Sequence, residues 1–324
     1  MKLGVIGGGA WGTALAQVAA EGGDQVWLWA REPEVVASIN ETHQNQLFLA
    51  NVPLSHSITA TGDLDGLAGC EALLIVTPAQ HMRAVLDATY AGSRPVILCA
   101  KGIEAGTQLL MSEVAHQACP DAPIAVLSGP TFAGEVARGL PTAVTLASTD
   151  ATLAKMLAAR LAQPHFRPYV SSDVIGAEIG GAVKNVLAIA CGVVEGRALG
   201  KNARAALIAR GFAEMTRFGL ARGASAETLG GLSGLGDLVL TCSSTQSRNF
   251  TLGKGLGEGR AAAELLSGRT VAEGAFTAPV LQLAAQTAGV EMPVVDAVCA
   301  LLTGAADVDT VVGRLLARPL RNEG

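Results

Sequence analysis

Lys184 stands in Ile179-Gly180-Gly181-Ala182-Val183-Lys184-Asn185-Val186-Leu187-Ala188-Ile189-Ala190-Cys191, where every residue but Lys184 and Asn185 is apolar or small. An ammonium group in such a run demands a reason. On a helix its neighbours at three, four and seven positions are Gly180, Gly181, Leu187, Ala188 and Cys191. All but one are small, leaving room for a ligand or a closely packed backbone. Poor solvation lowers a lysine pKa from about 10.4 toward the range where it exchanges a proton near neutrality. The plain structural alternative pairs it with Glu178 or Glu195, or lets its stem carry the charge to water.

Other polar groups follow strand-like runs. Lys101 comes directly after the apolar residues 96–100 and before Gly102, at the carboxyl edge of a sheet, where ligands bind. Ser128-Gly129-Pro130-Thr131-Phe132-Ala133 also follows a strand, so its backbone N–H groups and hydroxyls can line the same crevice. Further on, Gly234-Leu235-Gly236-Asp237 and Ser247-Arg248-Asn249 read as polar loops between helices. They offer an acid, a fork-shaped cation and an amide, and arginine with asparagine is a reasonable phosphate clamp.

Gly7, Gly9 and Gly12 form G-x-G-x-x-G between a strand and a helix. Gly7 permits the tight turn, Gly9 lets backbone approach a pyrophosphate, and Gly12 lets helix and strand pack closely. The helix N-terminus then offers free N–H groups to phosphates, which points to a dinucleotide. After the second apolar run stands Arg31, not the acid that would hold a ribose hydroxyl. A guanidinium suits a 2′-phosphate and favours NADPH, while Glu32 keeps NADH open.

The elements that must hold these groups are legible in outline. Runs at 2–6, 26–29, 72–76, 96–100, 124–127 and 143–146 alternate with helical segments at 13–20, 82–88 and 108–118. That pattern predicts an α/β fold with an N-terminal doubly wound, mainly parallel Rossmann domain at 1–176. From about Gly176 long Ala/Leu/Gly-rich segments at 176–194, 203–218, 261–267, 277–288 and 294–302 predict a C-terminal all-helical domain at 177–324, with residues 230–236 as a loop. At 324 residues the chain suits two domains with a cleft between them, and 50% hydrophobic with 4% aromatic residues suits helices on a parallel sheet. A net charge of −5 argues against nucleic acid. The scattered cysteines, Cys70, Cys99, Cys119, Cys191, Cys242 and Cys299, read as reduced and mostly buried, and no metal-ligand spacing appears. With no leader-like N-terminus and no spanning segment expected, the reading is cytoplasmic, without membrane insertion.

Together these segments resemble the NAD(P)-dependent glycerol-3-phosphate dehydrogenases of bacterial type. The likeness rests on residues 7–14, Lys101-Gly102-Ile103-Glu104, residues 128–133, Gly180 through Val186, Gly234 through Cys242, Gln246-Ser247-Arg248-Asn249 and Val271-Ala272-Glu273-Gly274. It implies NADPH- or NADH-dependent interconversion of dihydroxyacetone phosphate and sn-glycerol 3-phosphate, supplying glycerophospholipid synthesis, and it is compatible with a homodimer. By motif position, Lys184 would give or take the proton, with Lys101, Asp237 and Thr241 around the reacting carbon. Gly129, Thr131, Ser247, Arg248 and Asn249 would join Lys101, Lys184 and Asp237 in the substrate site. The coenzyme would lie on Gly7, Gly9, Ala10, Trp11, Gly12, Arg31, Lys101, Ala133, Arg248, Val271 and Glu273. Two rivals share this build: a reductase of a 3-hydroxy acid or ketopantoate, for which Arg248 would also suit a carboxylate, and a catalytically silent dinucleotide sensor.

Overall fold

The computed structural model describes residues 2–89, 91–267 and 272–318. The chain begins with β1 (Lys2–Ile6), α1 (Ala10–Glu21), β2 (Gln25–Trp29), α2 (Pro33–Thr42), β3 (Ile58–Thr61), β4 (Ala72–Ile75), α3 (Met82–Ala88) and β5 (Val96–Leu98). It continues through α4 (Met111–Ala118), β6 (Ile124–Ser128), α5 (Ala133–Val136), β7 (Thr142–Ala147), α6 (Ala151–Leu161) and β8 (Phe166–Ser171). The strands form one sheet in the order β3-β2-β1-β4-β5-β6-β7-β8. All neighbours are parallel except β6 and β7. The central strands β4, β5 and β6 are buried throughout, as both faces of a parallel sheet demand, and apolar clusters sit on each face. The order reverses between β1 and β4, so the crevice for a ligand opens at their carboxyl ends, where Gly7 begins.

After Ser171 no further strand occurs among the described residues. The helices are α7 (Val174–Gly196), α8 (Lys201–Ala221), α9 (Ala226–Leu229), α10 (Asp237–Thr241), α11 (Arg248–Gly257), α12 (Ala262–Leu266), α13 (Glu273–Thr287), α14 (Pro293–Thr303) and α15 (Val308–Leu316). Helix α7 is the axis on which α8, α9, α10, α11, α13 and α14 pack. Asp173 caps it, accepting from Gly176 N at 2.8 Å and from Ser225 N at 2.9 Å. Contrary to the expectation of no spanning segment, α7 is long and apolar enough to cross a bilayer. Its apolar window is 83% buried inside the fold, which identifies it as a core helix.

Two further expectations are corrected. Residues 230–236 are not a simple loop: Leu232–Gly236 is a π-helical turn, closed by Gly236 N donating to Gly231 O at 3.0 Å. Asp237 and Arg248 do not lie in loops, since each is the first residue of a helix. Glycine density suggested a loop, but the glycines here serve close packing. A Cβ on Gly234 would fall 1.9 Å from Leu229 O, and one on Gly180 would fall 2.3 Å from Ser233 O, so the π-turn lies directly on α7.

The same device joins α7 to α11. Added Cβ atoms at Gly192 and Gly196 would meet Phe250 O at 2.1 Å and Lys254 O at 2.2 Å. At Gly253 and Gly257 they would meet Ile189 O at 1.9 Å and Val193 O at 2.4 Å. Both helices therefore present glycines one turn apart to each other's backbone. Gly253→Ala is expected to destabilise the protein by about 1–3 kcal/mol or more, because a rigid backbone must move to admit the methyl. Gly313→Ala, in α15 with open space around its Cβ position, should instead gain up to about 1 kcal/mol from helix propensity. Urea denaturation of the two variants checks the opposite signs.

Candidate active site and dinucleotide cradle

The π-turn delivers Asp237 into the core, where it is fully buried between two lysines from different parts of the chain. Lys184, on the middle of α7, brings Nζ to 3.0 Å from Asp237 Oδ1. Lys101, just beyond β5, brings Nζ to 2.6 Å from Oδ2. Lys184 also donates to Thr241 Oγ1 at 2.8 Å, and that hydroxyl donates to Asp237 Oδ1 at 3.1 Å. Asp237 and Thr241 are one turn apart on α10, so one helix face carries both. Lys101 further donates to Gly129 O at 3.3 Å, drawing the loop after β6 onto the cluster, and Thr131 Oγ1 donates to the same carbonyl at 3.4 Å.

Two cations on one carboxylate leave one net positive charge in a desolvated place. Burial pushes the Lys184 pKa down to about 8. The Asp237 charge opposes that shift, and the Lys101 charge adds to it. Burial alone would raise the Asp237 carboxyl, but the two ammonium groups outweigh it and hold it below its usual range. The pairing of Lys184 with Glu178 or Glu195 does not occur: Glu178 accepts from Ser112 N and Oγ at 2.7 and 2.6 Å, and Glu195 pairs with Arg204. The small neighbours have two uses, since Gly180 admits the π-turn and a Cβ on Gly181 would lie 3.2 Å from the Lys101 stem.

Ser247, Arg248 and Asn249 open α11. Ser247 Oγ caps the helix by accepting from Phe250 N at 3.2 Å, and Arg248 is exposed. Buried Asn249 donates to Asn185 Oδ1 at 3.0 Å and accepts from Gly274 N at 2.9 Å. Asn185 is therefore the site-forming residue that sequence reasoning passed over: it links the start of α11 to the residue beside Lys184. Its signal was the one that marked Lys184, a polar side chain in an apolar run. Glu273 begins α13, partly buried, and its carboxyl is raised by burial against the charges of Arg248, Lys184 and Lys101. Val271 lies outside the described residues.

The glycine turn sits apart, at the switch between β1 and β4. Gly7 has φ +130, and its Cβ would fall 2.7 Å from Val76 O, so no side chain fits there. Gly12 packs on Gly7, where a Cβ would fall 1.8 Å from Gly7 O, while the space around Gly9 is open. Ala10 and Trp11 start α1, and the buried Trp11 Nε1 has no hydrogen-bond partner. An open glycine at a helix N-terminus and an orphaned donor fit a dinucleotide pyrophosphate. Ala133 opens α5, which packs on α1. Arg31 lies just past β2 with 78% of its side chain exposed, its guanidinium held by Glu32 Oε1 at 2.9 Å.

All six cysteines are free and buried. A family model described as the NAD-dependent glycerol-3-phosphate dehydrogenase N-terminus matches residues 2–154, and one described as its C-terminus matches residues 173–313. The chain is 61% identical over 324 residues to a glycerol-3-phosphate dehydrogenase [NAD(P)+] of Sphingopyxis alaskensis, covering 100% of this chain and 98% of that protein. It is 62% identical over 323 residues to one from Erythrobacter litoralis, covering 99% and 98%. A crystal structure of glycerol-3-phosphate dehydrogenase from Coxiella burnetii superposes with TM-score 0.93 at 39% identity, covering 98% of this chain and 99% of that one.

Titration of the Lys184 Nζ resonance should show a midpoint near 8. Lys101→Met should raise that midpoint by removing a like charge, and Asp237→Asn should lower it by removing the opposite one. Shifts of the same sign in both variants would contradict the shared-carboxylate arrangement.

Proposed function

We infer that this chain, which belongs to the NAD-dependent glycerol-3-phosphate dehydrogenase family, reduces dihydroxyacetone phosphate to sn-glycerol 3-phosphate with NAD(P)H. We propose that Lys184 is its acid–base residue, with Asp237, Lys101 and Thr241 fixing its position and charge. The observation that carries this assignment is the buried Lys184–Asp237–Lys101 cluster.

A reduced nicotinamide coenzyme held on the Gly7–Gly12 turn would supply hydride chemistry toward C2 of the ketone. As negative charge grows on the ketone oxygen, the ammonium of Lys184 stabilises it and delivers the proton. Below a pH of about 8 the lysine is charged and ready to donate, and above it the neutral amine accepts a proton in the oxidative direction. Asp237 holds Nζ in place without taking the proton, because its own affinity for one is depressed. Thr241 offers Oγ1 as an acceptor to that ammonium. Gly129 and Thr131 close the site from the sheet side.

Arg248 and the N-terminus of α11 suit the substrate phosphate, combining a guanidinium with the positive end of a helix dipole. Ser247 and Asn249 shape that helix start. Phosphate binding energy gained there is available to orient the carbon that reacts. On the coenzyme side we assign Gly7, Gly9, Ala10, Trp11, Gly12, Arg31, Lys101, Ala133, Arg248 and Glu273, and by motif Val271. NADPH is the preferred coenzyme in this reading. Residues 1–176 then form the dinucleotide domain and 177–324 the substrate domain. A cytoplasmic homodimer that feeds glycerophospholipid synthesis completes the proposal. The rival substrates and the silent sensor have no support from relatives of this identity.

Side-by-side oxidation of NADPH and NADH with dihydroxyacetone phosphate tests the reading. Arg248→Ala should raise KM for dihydroxyacetone phosphate by about tenfold or more, with a smaller loss for an unphosphorylated analogue, since a charge-assisted contact is removed. Equal losses on both substrates would assign Arg248 to coenzyme or structure. Arg31→Asp should raise KM for NADPH about ten- to a hundredfold, through lost attraction and new repulsion, and change NADH little. Because Glu32 already holds the guanidinium, the double change with Glu32→Ala is the control. An unchanged NADPH/NADH ratio of kcat/KM would leave Arg31 a solvated residue.

A further inference from the structure

Asn45 lies in the segment between α2 and β3, far in sequence from every motif above, yet it is fully buried. Its Nδ2 donates to Gly8 O at 2.8 Å and to Thr13 Oγ1 at 2.8 Å, and its Oδ1 accepts from Phe48 N at 3.1 Å. Both ends of the carboxamide are thus engaged, and a flipped amide would set oxygen against the Gly8 carbonyl. The segment is folded to make this reach. His43 turns left-handed at φ 50 after α2, and Leu49 N returns to Asn45 O at 2.8 Å.

We propose that Asn45 is a positioning residue for the coenzyme, acting on the glycine turn and touching neither substrate nor the reacting atoms; the inference rests on the dinucleotide reading of that turn. The Gly8–Gly9 peptide is planar, so holding Gly8 O on one side directs the Gly9 N–H to the other. Two glycines in succession would otherwise leave this peptide free to rotate. Its neighbours are already fixed: Gly7 N donates to Trp29 O at 3.0 Å, and a Cβ on Gly8 would fall 2.4 Å from Ala30 Cβ. The Asn45 amide supplies the remaining restraint and ties the turn to Thr13 on the first turns of α1. A turn ordered before binding spares the coenzyme the cost of ordering it, and that saving appears as affinity.

The test measures NADPH binding directly, through the fluorescence of the bound reduced nicotinamide, alongside steady-state kinetics on wild type, Asn45→Ala, Asn45→Asp and Thr13→Val. Asn45→Ala should weaken NADPH binding about ten- to a hundredfold, since two hydrogen bonds are lost and a carbonyl is left buried. Asn45→Asp, which keeps the shape but sets a carboxylate against Gly8 O, should weaken it at least as much. Thr13→Val removes one partner and should cost about threefold to tenfold, which supplies the measurement if the Asn45 variants fail to fold. At saturating coenzyme, kcat and KM for dihydroxyacetone phosphate should stay within about threefold of wild type. Unchanged NADPH affinity in folded variants would overturn the proposal, as would a parallel loss in kcat and in KM for both ligands, which marks a merely structural role. Wild-type protein that fails to bind NADPH would overturn the coenzyme reading, and this inference with it.

Discussion

A single carboxylate, fully buried and shared by two ammonium groups, is the interaction on which the rest of the molecule depends. Desolvating three charged groups is unfavourable unless their geometry is held closely, and removing one partner of such a set typically costs about 3–5 kcal/mol. The fold supplies that geometry by bringing three separate elements to one point. The end of β5 contributes Lys101, the middle of α7 contributes Lys184, and the π-turn before α10 contributes Asp237. Sheet and helices are thereby tied across 136 positions of sequence by one hydrogen bond. The uncompensated positive charge left over is the property an enzyme needs where an alkoxide forms.

In the proposed reading, the two ligand sites around that point are built by different means. The coenzyme side is mostly backbone: a glycine turn at the switch of the sheet, ordered by contacts from neighbouring strands and from Asn45. The substrate side is mostly side chain, a buried amide relay from Asn185 through Asn249 to Gly274 that sets the start of α11. Backbone contacts suit a pyrophosphate common to many nucleotides, whereas side chains at a helix start can discriminate a small molecule by shape and charge.

What the sequence disclosed follows the range of the physics involved. Lys184 and the glycine turn were legible because each violates or satisfies a local rule, a cation in an apolar run and glycines at the spacing of a tight turn. The outline of the sheet was legible from apolar runs, but β3 and β8 were not. The first is four residues long, and the second is an edge strand carrying Pro168 and exposed Tyr169 and Val170. The helical start at Asp237 was hidden by glycines, which sequence patterns read as a loop and the fold uses as contact surfaces, and that at Arg248 by the polar run Ser243-Ser244-Thr245-Gln246-Ser247 before it. Asn45 left no trace at all, because its two acceptors lie 37 and 32 residues away in a segment of ordinary polar composition.

The crossing of α7 and α11 has a consequence for how this protein can change. Every missense mutation of a glycine codon adds at least one carbon, so Gly192, Gly196, Gly253 and Gly257 have no conservative replacement. Each such carbon would fall 1.9–2.4 Å from a carbonyl oxygen of the other helix. Inheritance can therefore retune an exposed side chain such as Arg31 in small steps, but the spacing of these two helices is available only as a whole or not at all. Lys184 rides on one of them and Arg248 on the other, so the separation of the proposed proton donor from the proposed phosphate ligand is among the least evolvable quantities in the molecule.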